Sequence, residues 1–196
     1  MGFERFGLVL TVMSSVALAA SAPQLANAAP RMSGLPSVTE FEAELAKHDS
    51  ATEALRQWCE ARHIANPAQI MARPRLGPEG RKPPQLRRLL GIGARDAIGY
   101  RHVELTCGDR VLSVAHNWYV PSRLTAAMNT ALATSHVPFG RIAAPLGYIR
   151  EPLEILSKPP GGCPENTISA HRALLRLPDG RVLAYVLECY TAENLR

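Results

Sequence analysis

Two charged side chains in this sequence occur where strand periodicity directs them into a protein interior. Successive residues of a strand point to opposite faces, and Arg101 shares its face of the segment 100–107 with a valine and a leucine. Glu188 lies in the segment 182–190, both faces of which are apolar. An unpaired buried charge costs several kcal/mol, so each side chain requires a partner or a ligand.

Three arrangements satisfy this requirement. Arg101 and Glu188 can form an ion pair with each other, or each can lie at a strand end and reach water. Alternatively, they can face one another across a closed pocket. There a guanidinium would bind a ligand carboxylate in a bidentate manner, and a carboxyl group would transfer a proton.

The remaining polar residues do not form the patterns of metal sites or hydrolases. No two histidines have H-E-x-x-H spacing, and no two cysteines have the C-x-x-C spacing of a zinc site. Ser113 and Ser169 lack the G-x-S-x-G frame of a nucleophile elbow. The histidines, which we interpret as surface or hydrogen-bonded residues, are His48, His63, His102, His116, His136 and His171. The sequence therefore predicts no metal site.

The composition is typical of a globular protein of one domain. The 196 residues are 46% hydrophobic and 20% charged, which is enough for a sizeable core. A net charge of +5 suits an anionic small molecule as well as a nucleic acid. Aromatic residues make up only 6% and are not interleaved with basic runs, so we expect no nucleic-acid partner.

The N-terminal segment has the three parts of a secretory signal peptide. Arg5 precedes a mostly apolar run over residues 6–20, and the small-residue site Ala26-Asn27-Ala28 follows. No run reaches the roughly 18 continuous apolar residues of a spanning helix. We predict a signal peptide over 1–28, a single domain over 29–196, no membrane span after cleavage, and a periplasmic or secreted protein. A core helix or an uncleaved anchor is the alternative.

The expected mature chain contains four cysteines, Cys59, Cys107, Cys163 and Cys189. An even number in an exported chain permits two disulfides, and four cysteines allow three pairings that the sequence does not distinguish. Buried free thiols are the alternative.

Helix signals come first along the chain and strand signals later. Ser37 and Ser50 each precede a glutamate by three residues, which is the spacing of a capping box, and an apolar stripe follows each of them. The segment 73–95 is rich in proline, glycine and arginine, and it predicts a solvated loop or else a lid or an anion-attracting rim.

From Gly99 onward, β-rich segments are joined by short turns. Gly108-Asp109 joins the first pair of segments, and Pro178-Asp179-Gly180 joins the last. Hairpins of this kind predict an antiparallel sheet with helices packed on it. The predicted fold class is α+β.

Five short motifs, taken in order, resemble the chorismate lyase family, whose members form 4-hydroxybenzoate from chorismate. The motifs are His48-Asp49-Ser50-Ala51-Thr52, Tyr100-Arg101, Val120-Pro121, Pro138-Phe139-Gly140-Arg141 and Leu187-Glu188. The resemblance implies a chorismate-lyase-like fold, in which helices cover an internal ligand cavity on an antiparallel sheet.

The same resemblance implies site residues. Arg101 is similar to the family's carboxylate-binding arginine and Glu188 to its active-site glutamate, and both are expected to be catalytic. Backbone amides of Ala51 and Phe139 would complete the substrate-binding pocket. Counting back from the cysteine of the first hairpin places His102 at the arginine position instead. We favour Arg101 because it shares the inward face with valine and leucine.

The implied activity is the elimination of pyruvate from chorismate, which needs no cofactor because the ring becomes aromatic. Arg101 would hold the ring carboxylate, and Glu188, kept protonated by apolar surroundings, would donate to the ether oxygen. We expect a monomer that binds a small aromatic carboxylate. Export departs from the family's cytosolic members, so a non-catalytic exported binding protein for such a ligand is the alternative. An exported structural domain is a third reading.

Overall fold

The computed structural model describes residues 1–2, 35–76 and 82–196 of the chain. Apart from its first two residues, the predicted signal peptide lies outside the described residues. Its cleavage therefore stays a prediction, as does the single domain over 29–196. In the described ranges, no helix is both long enough and apolar enough to cross a membrane.

A six-stranded sheet forms the centre of the fold. Its strands are β1 (Ile70–Pro74), β2 (Gly99–Cys107), β3 (Arg110–Tyr119), β4 (Ile149–Leu156), β5 (Thr167–Arg176) and β6 (Val182–Thr191). Their spatial order is β1-β2-β3-β6-β5-β4, and every neighbouring pair is antiparallel. Strand β6 lies inside the sheet with all 10 of its residues buried, which explains why neither of its faces is polar.

Five α-helices accompany the sheet within the described residues. They are α1 (Val38–Leu45), α2 (Ala51–Ala61), α3 (Leu86–Leu90), α4 (Ala126–Thr134) and α5 (Phe139–Ala143). The α+β class, an antiparallel sheet with helices packed on it, is confirmed.

Serine side chains start the first two helices, as predicted. The Ser37 hydroxyl accepts a hydrogen bond from the Glu40 backbone N–H, and the Glu40 carboxylate accepts one from the Ser37 N–H, which completes a capping box. Ser50 caps α2 by accepting from the Glu53 N–H at 3.4 Å. Because the first N–H groups of a helix have no intrahelical partner, these caps fix where each helix begins.

Tight turns join the strands of both predicted hairpins, which are confirmed. Gly108 has a φ of 56° between β2 and β3, and Gly180 has a φ of 84° between β5 and β6. Residues with a Cβ are strained in this region, so glycine is required there. Strand β4 begins at Ile149, after helix α5, which Phe139 opens.

Helices cover both faces of the sheet. On the first face, the Phe41 ring of α1 lies with its centroid 5.2 Å from the Trp58 ring of α2 and 5.2 Å from the Tyr190 ring of β6. On the second face, Leu86 and Leu90 of α3 join the core cluster of the sheet. Each face therefore has its own apolar core, and period-two alternation separates them.

The prediction of a solvated loop over 73–95 is wrong for α3, which lies inside this segment with Leu86 and Leu90 buried. Gly91, with a φ of 60°, ends the helix, and the Arg123 side chain donates hydrogen bonds to the carbonyl oxygens of Leu90 and Gly91. A helix of 5 residues is too short to show a clear apolar period among its basic and proline neighbours.

The four cysteines form two disulfides, so buried free thiols are excluded for them. Cys59–Cys107 joins α2 to the end of β2, and Cys163–Cys189 joins the β4–β5 loop to β6. Both bridges tie a covering segment to the sheet, one on each core cluster.

Replacing both cysteines of either disulfide with alanine should lower the free energy of unfolding, because the unfolded chain regains loop entropy. The sequence separations of 48 and 26 residues correspond to about 4 kcal/mol for Cys59–Cys107 and about 3.5 kcal/mol for Cys163–Cys189. Urea denaturation of the oxidised protein measures both losses, and the reduced wild type is the control. A double-alanine variant as stable as the wild type would contradict the expected contribution.

Candidate functional site

A small cavity, here called the inner cavity, lies between the first face of the sheet and the beginnings of α2 and α5. Its free volume is about 30 Å³. Its lining residues are Asp49, Ser50, Ala51, Thr52, Val103, Leu105, Ala115, Asn117, Phe139, Gly140, Tyr148, Arg150, Leu175, Val186 and Glu188. Three residues singled out from the sequence, Ala51, Phe139 and Glu188, are brought together here.

Arg101, the fourth predicted residue, does not line the inner cavity. It is buried, and its Nη1 and Nη2 atoms each donate a 2.8 Å hydrogen bond, to the carbonyl oxygens of Val137 and Ser135 respectively. These bonds hold the segment that leads into Phe139. Arg101 therefore positions one wall of the site, and the expectation that it faces or pairs with Glu188 is wrong.

The cation that faces Glu188 is Arg150 of β4. The Arg150 Nη2 atom lies 2.6 Å from the Glu188 Oε2 atom, and the two side chains are only 13% and 12% exposed. The Tyr190 hydroxyl donates to the same oxygen at 3.1 Å. A carboxylate makes such an ion pair, so the apolar surroundings expected to keep Glu188 protonated are not what the structure shows.

Arg150 has no obvious sequence signal, because it lies among alternating charged and apolar residues on an edge strand. Burial is the largest influence on the pKa of its guanidinium and lowers it, but the charges of Glu188, Tyr190 and Glu42 and the Glu188 hydrogen bond together raise the pKa above its ordinary value. Burial, followed by the charge of Glu188, raises the pKa of Tyr190. The phenol thus stays protonated and donates to the carboxylate.

A second pair of residues supports Arg150 from the other side. The His171 Nε2 atom lies 2.8 Å from the Glu42 Oε2 atom, and the His171 Nδ1 atom lies 3.5 Å from the Arg150 Nη2 atom. Since a carboxylate only accepts, Nε2 carries the proton and Nδ1 faces Arg150 as an acceptor. Burial raises the pKa of Glu42, but the His171 and Ser169 hydrogen bonds together hold it below its ordinary value.

The beginnings of α2 and α5 converge on the cavity around Gly140. A Cβ atom at Gly140 would lie 2.8 Å from the Tyr148 hydroxyl oxygen and 3.1 Å from the Ser50 Oγ atom, so an alanine here would force the Tyr148 side chain to shift. The first N–H groups of a helix lack intrahelical partners and carry partial positive charge. This wall therefore brings hydrogen-bond donors to the site, where Ala51 and Phe139 lie.

The Nε atom of Arg150 is buried and, among the described residues, has no hydrogen-bond partner. A buried donor without an acceptor is unfavourable. The site thus offers a guanidinium edge and helix N-termini, which together suit an oxygen acceptor such as a carboxylate. In the same described residues, no three His, Cys, Asp or Glu side chains lie close enough to hold a metal ion.

His102, the alternative to Arg101, points to the second face of the sheet. Its ring stacks on His116 of β3 with centroids 4.2 Å apart, and neither of its ring nitrogens has a hydrogen-bond partner among the described residues. Burial, with smaller contributions from the charges of His116 and Arg75, lowers the pKa of His102 to about 4. His116 is anchored by hydrogen-bond contacts to the Tyr100 hydroxyl and the Gly162 carbonyl. The preference for Arg101 as the inward residue is consistent with this arrangement.

A protein from Sinorhizobium fredii, the uncharacterized protein y4mC, is 38% identical to this chain over 180 residues. The match covers 82% of this chain and 76% of y4mC. No family model matches the chain.

Partial likenesses occur among solved structures. One is to YydK of Bacillus subtilis, described as a possible transcriptional regulator, with 18% identity, a TM-score of 0.45, and coverage of 65% of this chain and 59% of that chain. Another is to the ligand-binding domain of a regulator assigned to the GntR family from Bordetella bronchiseptica, with 13% identity, a TM-score of 0.45, and coverage of 62% and 85%.

Removing either partner of the buried Arg150–Glu188 ion pair should lower the free energy of unfolding. Removing both partners should lower it by less than the sum of the two single losses. Arg150→Met should lower the free energy of unfolding by about 3 kcal/mol, because Glu188 then stays buried without its partner. Adding Glu188→Gln should recover part of this loss. Urea denaturation of the four proteins gives the coupling energy. The control cycle uses the more exposed pair Arg176–Glu151. Equal coupling in the two cycles would contradict burial of the first pair.

Stability should depend on His102 below neutral pH. The folded-state pKa of about 4 lies below the unfolded value of 6.5, so the unfolded chain takes up a proton that the folded protein excludes. This contribution is present above pH 6.5 and is lost as the pH falls toward 4, by up to about 3 kcal/mol. His102→Phe keeps an aromatic ring and should flatten that decline, whereas exposed His136→Phe should not. If the free energy of unfolding falls with pH in the same way for the wild type and both variants, His102 does not contribute to the pH dependence.

Proposed function

The chain belongs to the family of the uncharacterized protein y4mC, and we propose that it binds a small aromatic carboxylate at the inner cavity. The observation that carries this proposal is the buried Arg150 guanidinium, whose Nε atom lacks a partner among the described residues while its Nη2 atom is held by Glu188. The cavity is also lined by Ala51 and Phe139, the first residues of two helices, whose N–H groups have no intrahelical partner. An oxygen anion is the chemical group that satisfies both sets of donors.

Each part of the site has a separate task in this proposal. The Nε atom of Arg150 binds the ligand carboxylate, and Glu188 holds the guanidinium in place through its Nη2 atom. The wall formed by Ala51 and Phe139 supplies further donors. Arg101 keeps that wall in position through its bonds to the segment before Phe139.

Binding requires the inner cavity to open. Its free volume of about 30 Å³ is close to the space of one water molecule, whereas an aromatic carboxylate is several times larger. Tyr148 lines the cavity, and its side chain can move without a change in the sheet or in the Arg150–Glu188 ion pair. We therefore expect binding to be slower than diffusion alone would allow.

A catalytic form of the same proposal is the loss of pyruvate from chorismate. It is supported by Ala51, Phe139 and Glu188 lining one cavity, as the family resemblance implies. In this reaction the ether C–O bond breaks, the ring loses a proton and becomes aromatic, and the three-carbon fragment leaves and is protonated to pyruvate. An ion-paired carboxylate accepts a proton, so we assign Glu188 to the proton lost by the ring, in place of the donor role.

We also propose that the protein acts outside the cytoplasm as a monomer. The two disulfides support export, since such bonds persist in oxidising compartments. In that setting the binding form needs only a ligand that reaches the compartment. The catalytic form needs chorismate there as well.

Binding is tested by adding 4-hydroxybenzoate to the purified, oxidised protein. We expect an increase in the melting temperature, because a ligand at 100 times its Kd stabilises the folded state by about 2.7 kcal/mol. Arg150→Met should weaken binding at least about tenfold in calorimetry. Arg176→Met removes an arginine of β5 that does not line the cavity and should leave the affinity unchanged. Equal affinities of the three proteins would refute the assignment.

Turnover is tested with chorismate, by following 4-hydroxybenzoate and pyruvate together. In the catalytic form the two products appear in equal amounts, and Glu188→Gln lowers the rate at least about 100-fold. Binding of 4-hydroxybenzoate without product formation would reject the catalytic form and retain the binding form.

A further inference from the structure

A second and larger space adjoins the inner cavity, and we call it the outer groove. It has a volume of about 590 Å³, within the usual range of small-molecule sites. Its walls come from α1, the turn that follows α1, and strands β4 and β5. Asp49 and Arg150 line both the outer groove and the inner cavity, so the two spaces meet at these side chains.

Most charges along the outer groove already have partners. His171 is bound by Glu42, Arg172 by Glu154, and Lys47 by Glu44. These pairs leave little capacity for a ligand, although they set the shape of the groove.

Two groups at the junction keep unused hydrogen-bonding capacity. The Nε atom of Arg150 is a buried donor without a partner, and the exposed Asp49 carboxylate makes no hydrogen bond or ion pair within the described part of the chain. The buried Nε donor therefore lacks an acceptor, and the water-exposed Asp49 carboxylate is available to accept a hydrogen bond from a ligand. Leu45, Pro152 and Ile155 also line the outer groove, and they give it an apolar surface against which a ring can pack.

We propose that the outer groove holds the body of the ligand, with its carboxylate on Arg150 and an O–H or N–H donor on Asp49. The ligand class is thus a monocarboxylate that carries a hydroxyl or amino group. This inference rests on the proposed carboxylate binding and adds the selectivity of the site.

The same charges disfavour dicarboxylates. Glu42, Asp49 and Glu188 are three carboxylates close to a single guanidinium, and Arg150 is already paired with one of them. A second ligand carboxylate would meet Asp49, an acceptor, where the site requires a donor. We therefore expect hydroxy- and amino-substituted monocarboxylates to bind more tightly than chorismate, which has two carboxylates.

The test is a matched ligand series measured by calorimetry on the wild type. Benzoate is the reference, and the probes are the three hydroxybenzoate isomers, 4-aminobenzoate and terephthalate, which replaces the donor with a second carboxylate. We expect at least one hydroxy isomer to bind about tenfold or more tightly than benzoate, and terephthalate to bind more weakly than benzoate.

Asp49→Ala should remove this ranking. Asp49 is exposed and precedes the capping Ser50, so the change leaves the helix cap and the fold intact. In this variant the hydroxy isomers and terephthalate should bind with the affinity of benzoate within about twofold. Asp109→Ala, at the exposed β2–β3 turn, is the matched control and should behave as the wild type.

The outcomes separate this inference from the proposed function. If benzoate binds and the hydroxyl gives no advantage, or if the advantage survives Asp49→Ala, the selectivity is refuted while carboxylate binding stands. If the advantage of the hydroxyl group is lost in Glu188→Gln but kept in Asp49→Ala, the ligand hydroxyl donates to Glu188, and the assignment to Asp49 is refuted. If no compound of the series binds, carboxylate binding itself fails, and the inference fails with it.

Discussion

Two opposite charges, Arg150 and Glu188, lie largely out of water on one face of the sheet, and neither is stable there without the other. Their contact crosses β5, because Arg150 is on β4 and Glu188 is on β6. The pair is extended at both ends, by Tyr190 on one side and by His171 and Glu42 on the other. A single polar network thus connects three strands with α1, and it determines where a ligand can find an unpaired charge.

This network explains why the interior is nearly filled and still suited to a ligand. The ion pair lines a cavity of only about 30 Å³, and it leaves the Nε atom of the guanidinium without an acceptor among the described residues. The outer groove supplies the volume that the inner cavity lacks. The small inner cavity and the larger outer groove are therefore two parts of one site, joined at Arg150 and Asp49.

Local signals predicted much of the fold. The serine caps of α1 and α2 and the glycine turns of two hairpins depend on residues within four positions of one another, so their physics is visible in the sequence. Helix α3 was not predicted, because it is short and its stability comes from burying Leu86 and Leu90 against distant strands. Of the residues that line the inner cavity, Ala51, Phe139 and Glu188 were named from the sequence, whereas Arg150 gave no local signal.

Strand periodicity for Arg101 and the two apolar faces of its strand for Glu188 predicted that both side chains point into the interior and that each needs a partner. They could not establish which partner, because that depends on strand order and on the reach of side chains across a neighbouring strand. In the folded protein, Arg101 meets backbone carbonyls of a covering segment, and Glu188 meets an arginine 38 positions earlier in the chain. The face of a strand to which a side chain points is a local property of the backbone. The partner of a buried charge is decided only when non-adjacent strands come together.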